Sequence, residues 1–168
     1  VMTSALGLGA AAAPVVQPQR GGVLLVASGP DAVTLDAPLI TDSPSATVLE
    51  HMVEPLYRLT PEGKIVPLLA LSHTVSGDGK TWTIRLRQGV RFHDGTAFDA
   101  EAAKFNLERM LDPATRAPFR FLISRVTAVT AVDASTVRVV TSASPVSRLS
   151  VTSLVFFSSD VARLPTGP

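Results

Sequence analysis

Ser76-Gly-Asp-Gly-Lys-Thr-Trp-Thr-Ile-Arg-Leu-Arg-Gln-Gly-Val-Arg-Phe-His-Asp-Gly-Thr-Ala-Phe98 is the stretch that decides the fold. Trp82, Ile84 and Leu86 alternate with Thr81, Thr83, Arg85 and Arg87. A period of two with one apolar side predicts a strand buried on one face. Ser76–Gly79 reads as the turn that leads into it, and His93–Thr96 as the turn that follows a short strand over Val90–Phe92.

Upstream, Thr60-Pro-Glu-Gly63 is a turn with proline at its first central position. Ser43-Pro44-Ser45 starts a helix whose apolar face is Val48, Leu49, Met52, Val53 and Leu56. Pro55 has no N–H to offer a helix, so this one is expected to stop near Val53. Gly21-Gly22 precedes Val23–Ala27, a continuous apolar run suited to a strand buried on both faces.

Downstream, Asp99 is placed to accept from the free N–H groups of a helix running to about Leu111, with Ala103, Leu107, Met110 and Leu111 facing inward. Arg125–Val132 and Thr136–Thr141 are rich in β-branched residues and flank Asp133-Ala-Ser135, as a hairpin requires. Ser153–Phe157 reads as a last strand, and the end of the chain as irregular. Strand, helix, several strands, helix and hairpin in that order specify a mixed α/β (α+β) domain with an antiparallel or mixed sheet.

The 168 residues are 46% apolar and 17% charged, with 15 basic against 14 acidic side chains. That is enough apolar material for a core and argues against disorder. A net charge of +1 with no basic stripe argues against nucleic acid and anionic membrane as partners. With no cysteine, disulfides, thiolate nucleophiles and cysteine zinc sites are excluded, as is a lipid-modified cysteine within these residues. Ala5–Ala13 is a short run of small apolar residues, with a small-x-small pattern at Ala10-Ala11-Ala12, and is expected to be a signal-peptide remnant or a disordered tail. It is too short to span a bilayer, so no membrane insertion of the mature chain is expected.

Gly79-Lys80-Thr81 imitates the end of a phosphate-binding loop, but the required earlier glycine is Thr74 and a strand follows instead of a helix. His51, His73 and His93 match no zinc spacing, and His93-Asp94 fits a polar turn. Asp31 and Asp36 lie in a loop where turn capping accounts for them. Trp82 reads as core, and Phe119 and Phe121 as packing side chains. No nucleophile–base pair is evident, so no cofactor, metal or catalytic residue is expected, and binding is favoured over catalysis.

Several elements in sequence order resemble the family 5 extracytoplasmic solute-binding proteins, the peptide-, nickel- and haem-type receptors of ABC importers. They are Gly21-Gly22, Thr34-Leu35-Asp36, Glu54-Pro55-Leu56, Leu69-Ala70-Leu71-Ser72, Asp78-Gly79, Leu86-Arg87-Gln88-Gly89-Val90, Phe92-His93-Asp94-Gly95-Thr96, Leu107-Glu108-Arg109 and Asp112-Pro113. The chain departs from the family pattern at Ala37, where proline is usual, and at His73, where a large aromatic is usual. It departs again at Ala102-Ala103, where an Asp and a larger apolar residue are usual.

The resemblance implies a partial periplasmic-binding-protein-like clamshell. Residues 1–19 are then the signal remnant or tail, 20–44 the N-terminal strand and loop of lobe I, and 45–168 a small mixed-sheet subdomain, with the second lobe absent. It implies a periplasmic, non-lipoprotein receptor with a small-molecule or peptide solute and the permease subunits of an ABC transporter as partners. Two segments match pocket-lining stretches: Thr41-Asp42-Ser43, where extended backbone could pair with a peptide as an added strand, and Phe119, where an aromatic closes over the ligand. A structural turn and a packed ring are the other readings of the two. A degenerate fragment that keeps the fold and binds nothing is the alternative to the receptor.

Overall fold

The computed structural model describes residues 21–23, 25–27 and 29–142, and the backbone of 158–159. At its centre is a four-stranded antiparallel sheet made of two hairpins. β4 (Ala70–Val75) and β5 (Thr81–Leu86) form one, β6 (Val126–Asp133) and β7 (Thr136–Thr141) the other, in the order β4-β5-β7-β6. Before it, β2 (Tyr57–Leu59) pairs with β3 (Ile65–Pro67), and β1 (Glu54–Pro55) pairs with β8 (Ser158–Ser159). Two α-helices complete the described residues: α1 (Ser43–Leu49) and α2 (Ala100–Leu111).

The alternation of Thr81–Leu86 makes β5 an inner strand. Ile84 and Leu86 are sealed from solvent, Trp82 is half-buried against the core, and Arg85 is exposed. The turn feeding β5 needs a left-handed residue, which Gly79 supplies at φ +72°. Its N–H donates to the Ser76 carbonyl at 2.8 Å, while Asp78 Oδ1 accepts from the Lys80 N–H at 3.0 Å. In the β6–β7 hairpin, Asp133 Oδ1 accepts from the Ser135 N–H at 2.7 Å.

α2 begins where Asp99 Oδ1 accepts from the Ala102 N–H at 2.9 Å. Ala103, Leu107 and Met110 face β6 and β7 and are buried; each large side chain contributes on the order of 1.5–3 kcal/mol. They join Leu56, Tyr57, Leu69, Ile84, Leu86, Phe98, Val137 and Val139 in one core. Ala103 is thus a packing residue despite its size. Leu111 is only partly buried at the edge of that core.

The structure corrects four expectations. Residues 21–23 and 25–27 form no strand, and Val23, Leu25 and Val26 are exposed: a strand buried on both faces needs neighbours, and none of the described strands pairs with it. α1 ends at Leu49, not Val53, and continues only as a turn, with Val48 and Met52 exposed; Leu56 joins the core from the β1–β2 segment instead. Val90–Phe92 contributes a single bridge, Arg91 to Ala97. Asp36 does not cap a turn; its carboxylate is engaged elsewhere, as described below. The expected strand at Ser153–Phe157 and the expected signal remnant lie outside the described residues.

Candidate functional site

Three of the four residues named from the sequence, Thr41, Asp42 and Ser43, sit at the end of a loop that closes on itself. Asp42 caps α1, its Oδ1 accepting from the Ser45 N–H at 2.8 Å. Ser45 is fully buried, and its hydroxyl oxygen accepts from the N–H groups of Val33 and Thr34, at 2.9 and 3.2 Å. Residue 45 therefore ties the start of the 33–42 loop to its end. Between them, Ala37–Leu39 forms a single 3-10 turn.

The middle of the loop is tied to α2. The two Arg109 amines donate to the two carboxylate oxygens of Asp36, Nη1 to Oδ1 at 2.8 Å and Nη2 to Oδ2. Both side chains are about a third exposed, 35% and 30%. An ordinary surface pair of this exposure is worth about 0–1 kcal/mol; the two-pronged geometry adds direction more than energy.

Thr41 lies on the exposed side of this loop and makes no hydrogen bond to another described residue. Its neighbours are extended, Ile40 at φ −66°, ψ 134° and Asp42 at φ −125°, ψ 151°. Ser43 opens α1, and its carbonyl accepts from the Thr47 hydroxyl at 3.0 Å. Phe119 stands apart, just before the 3-10 turn Arg120–Ile123; its ring is 42% exposed and 6.2 Å from that of Phe121. No hydrogen bond or ring contact joins Phe119 to Thr41, Asp42 or Ser43 among the described residues.

Beside Arg109, an open groove of about 600 Å³ runs between the 92–96 turn and α2, with Phe92, His93, Phe105 and Asn106 on its walls. His93 reaches farther than a turn residue would: its Nε2 lies 3.0 Å from the Met52 carbonyl. Asp94 stays in its own turn, where the Thr96 hydroxyl and N–H hold its carboxyl below the usual value. His51, in the turn after α1, places its Nδ1 2.8 Å from the Thr47 carbonyl of that helix.

His73 sits in the middle of the edge strand β4, opposite Ile84 of β5. Its Nδ1 lies 2.9 Å from the buried Tyr57 hydroxyl, and its ring is 5.1 Å from that of Trp82. The imidazole thus packs beside two aromatic rings, edge-on to Tyr57 and tilted against Trp82. No group of three or more His, Asp or Glu that could hold a metal is present among the described residues. Nor is any helix among them long and apolar enough to cross a membrane.

Residues 64–165 match the model of the bacterial extracellular solute-binding proteins, family 5, middle region. The chain belongs to this family.

The chain is 39% identical over 116 residues to the glutathione-binding protein GsiB of Escherichia coli K12, covering 69% of this chain and 23% of that protein. Its fold is similar to the binding protein AgaA of A. tumefaciens R10, solved with agropinic acid. The TM-score is 0.69 at 32% identity, over 79% of this chain and 26% of the other. It is also similar to the substrate-binding domain of an oligopeptide ABC transporter from Bacillus anthracis, with a TM-score of 0.67 at 28% identity over 74% and 27%. These relatives are binding proteins, not enzymes. The chain spans about a quarter of their length. Phe119 and Arg109 fall inside the family match, whereas Asp36 and Thr41–Ser43 lie before it.

Sequence reasoning missed the Asp36–Arg109 pair, the Ser45 clasp and the His93–Met52 contact. The Asp36 and Arg109 motifs were both visible. What could have joined them is their opposite charge alone, and that signal is not specific.

Proposed function

We propose that these residues are part of the solute-binding component of an ABC importer, working outside the cytoplasm in the periplasm with a peptide as cargo. The observation that carries the reading is the 39% identity to a glutathione-binding protein. The similarity to an oligopeptide-binding domain supports the same class of cargo.

In this reading the extended backbone at Thr41-Asp42 pairs with the peptide main chain as an added strand would, and Ser43, which opens α1, stands at its end. Phe119 offers an exposed aromatic face to an apolar part of the cargo. The loaded receptor then docks on the permease subunits. In this reading nothing is converted; affinity and release do the work.

Isothermal titration of the full-length product of the gene, with glutathione and with di- and oligopeptides, tests this. Saturable heat with one of these is expected. A flat titration against all of them, or saturation only by nickel complexes or haem, overturns the peptide reading.

A further inference from the structure

We infer that Arg109 is a positioning residue: through Asp36 it fixes the 33–42 loop and so sets where Thr41-Asp42-Ser43 is presented. The inference rests on the proposed role of those three residues in holding cargo.

Three tethers converge on this loop. Ser45 takes the N–H groups of Val33 and Thr34, Asp42 takes that of Ser45, and Arg109 grips Asp36 with two donors. The first two are local and fix the loop only to α1, a helix of seven residues. Arg109 alone among them anchors it to α2, which is packed on the central sheet. Leu35 and Leu39, on either side of the Asp36 turn, are half or more than a third exposed, so apolar packing does little to hold the loop's middle. The planar guanidinium meets a carboxylate in one plane, which restricts rotation as well as distance. A lysine would keep the charge and lose that restriction.

Hydrogen exchange and peptide titration on the full-length product, for wild type, D36N, R109K and the swapped D36R/R109D, test it. Exchange of residues 33–42 is expected to speed up about tenfold in D36N and R109K, with the amides of β5 and β7 unchanged. Peptide affinity should fall about tenfold in the same two variants while Tm shifts by little. The swapped pair should recover part of both. Loop exchange unchanged in D36N overturns the inference. So does a loosened loop with full peptide affinity. A wild-type protein that binds no peptide defeats the receptor reading instead, and the exchange comparison still decides whether Arg109 holds the loop.

Discussion

The Tyr57 hydroxyl and His73 Nδ1 lie 2.9 Å apart, joining β2 to the edge strand β4. The phenol is almost wholly buried, at 2% exposure, and the ring of His73 meets it edge-on. A buried hydroxyl needs a partner, and here an imidazole at an exposed strand provides it.

Burial pushes the Tyr57 hydroxyl up to about 12 from its ordinary 10.0. The folded state therefore keeps its proton where the unfolded chain has begun to lose it. The contribution is intact below about pH 10 and is lost as pH rises through 12, a loss of about 2–3 kcal/mol. Urea midpoints measured between pH 9 and 12 should show this fall, and Y57F should flatten it. At neutral pH Y57F should cost only about 0.5–1.5 kcal/mol for the hydrogen bond.

Acid should act at the turns. Asp78, Asp94 and Asp133 are held below the ordinary 3.8, the first two chiefly by the hydroxyls of Ser76 and Thr96 and the third by the Ser135 N–H. A lowered folded value gives stability that is present above 3.8 and lost as pH falls through the folded values. Thermal melts from pH 6 to pH 2 should show Tm dropping below about pH 4, and D94N should show a smaller drop.

Leu107→Ala should be among the most damaging single changes. The side chain is 2% exposed on the buried face of α2, and the loss leaves a cavity against the sheet. A cost of about 2–5 kcal/mol is expected in denaturant titrations. Asp99→Ala, which removes only the cap of the same helix, should cost about 1 kcal/mol.

Phe119→Ala separates binding from folding. With the ring 42% exposed, its loss should change stability by under about 0.5 kcal/mol. Peptide affinity should fall about tenfold, equal to about 1.4 kcal/mol. Equal affinity in calorimetric titrations would remove Phe119 from the proposed site.

Local features of the fold were readable from the chain. Thr81–Leu86 gave away its inner face by alternation, Asp99 its cap, and Asp133-Ala-Ser135 its turn, because each signal is complete within a few residues. The end of α1 is not legible, because Met52 and Val53 continue a helical pattern in a segment that turns away after Leu49. Of the candidate site, Asp42 was found, but its carboxylate caps a helix. Asp36 reads as a turn cap, whereas its carboxylate is taken by Arg109. Its real partner is 73 positions away, and His93 meets the Met52 carbonyl across 41. Contacts of that range leave no periodic trace; only the finished packing creates them.

The strand order β4-β5-β7-β6 has a kinetic consequence. Each outer pair is a hairpin with a short turn, and hairpins close in about 1–10 μs. The seam between β5 and β7 must instead wait for α2 and its flanking turns to bring distant segments together. Ile84 and Val137 face each other across that seam, both sealed from water. Trimming either should slow refolding, whereas loosening the Ser76–Gly79 turn should mainly hasten unfolding.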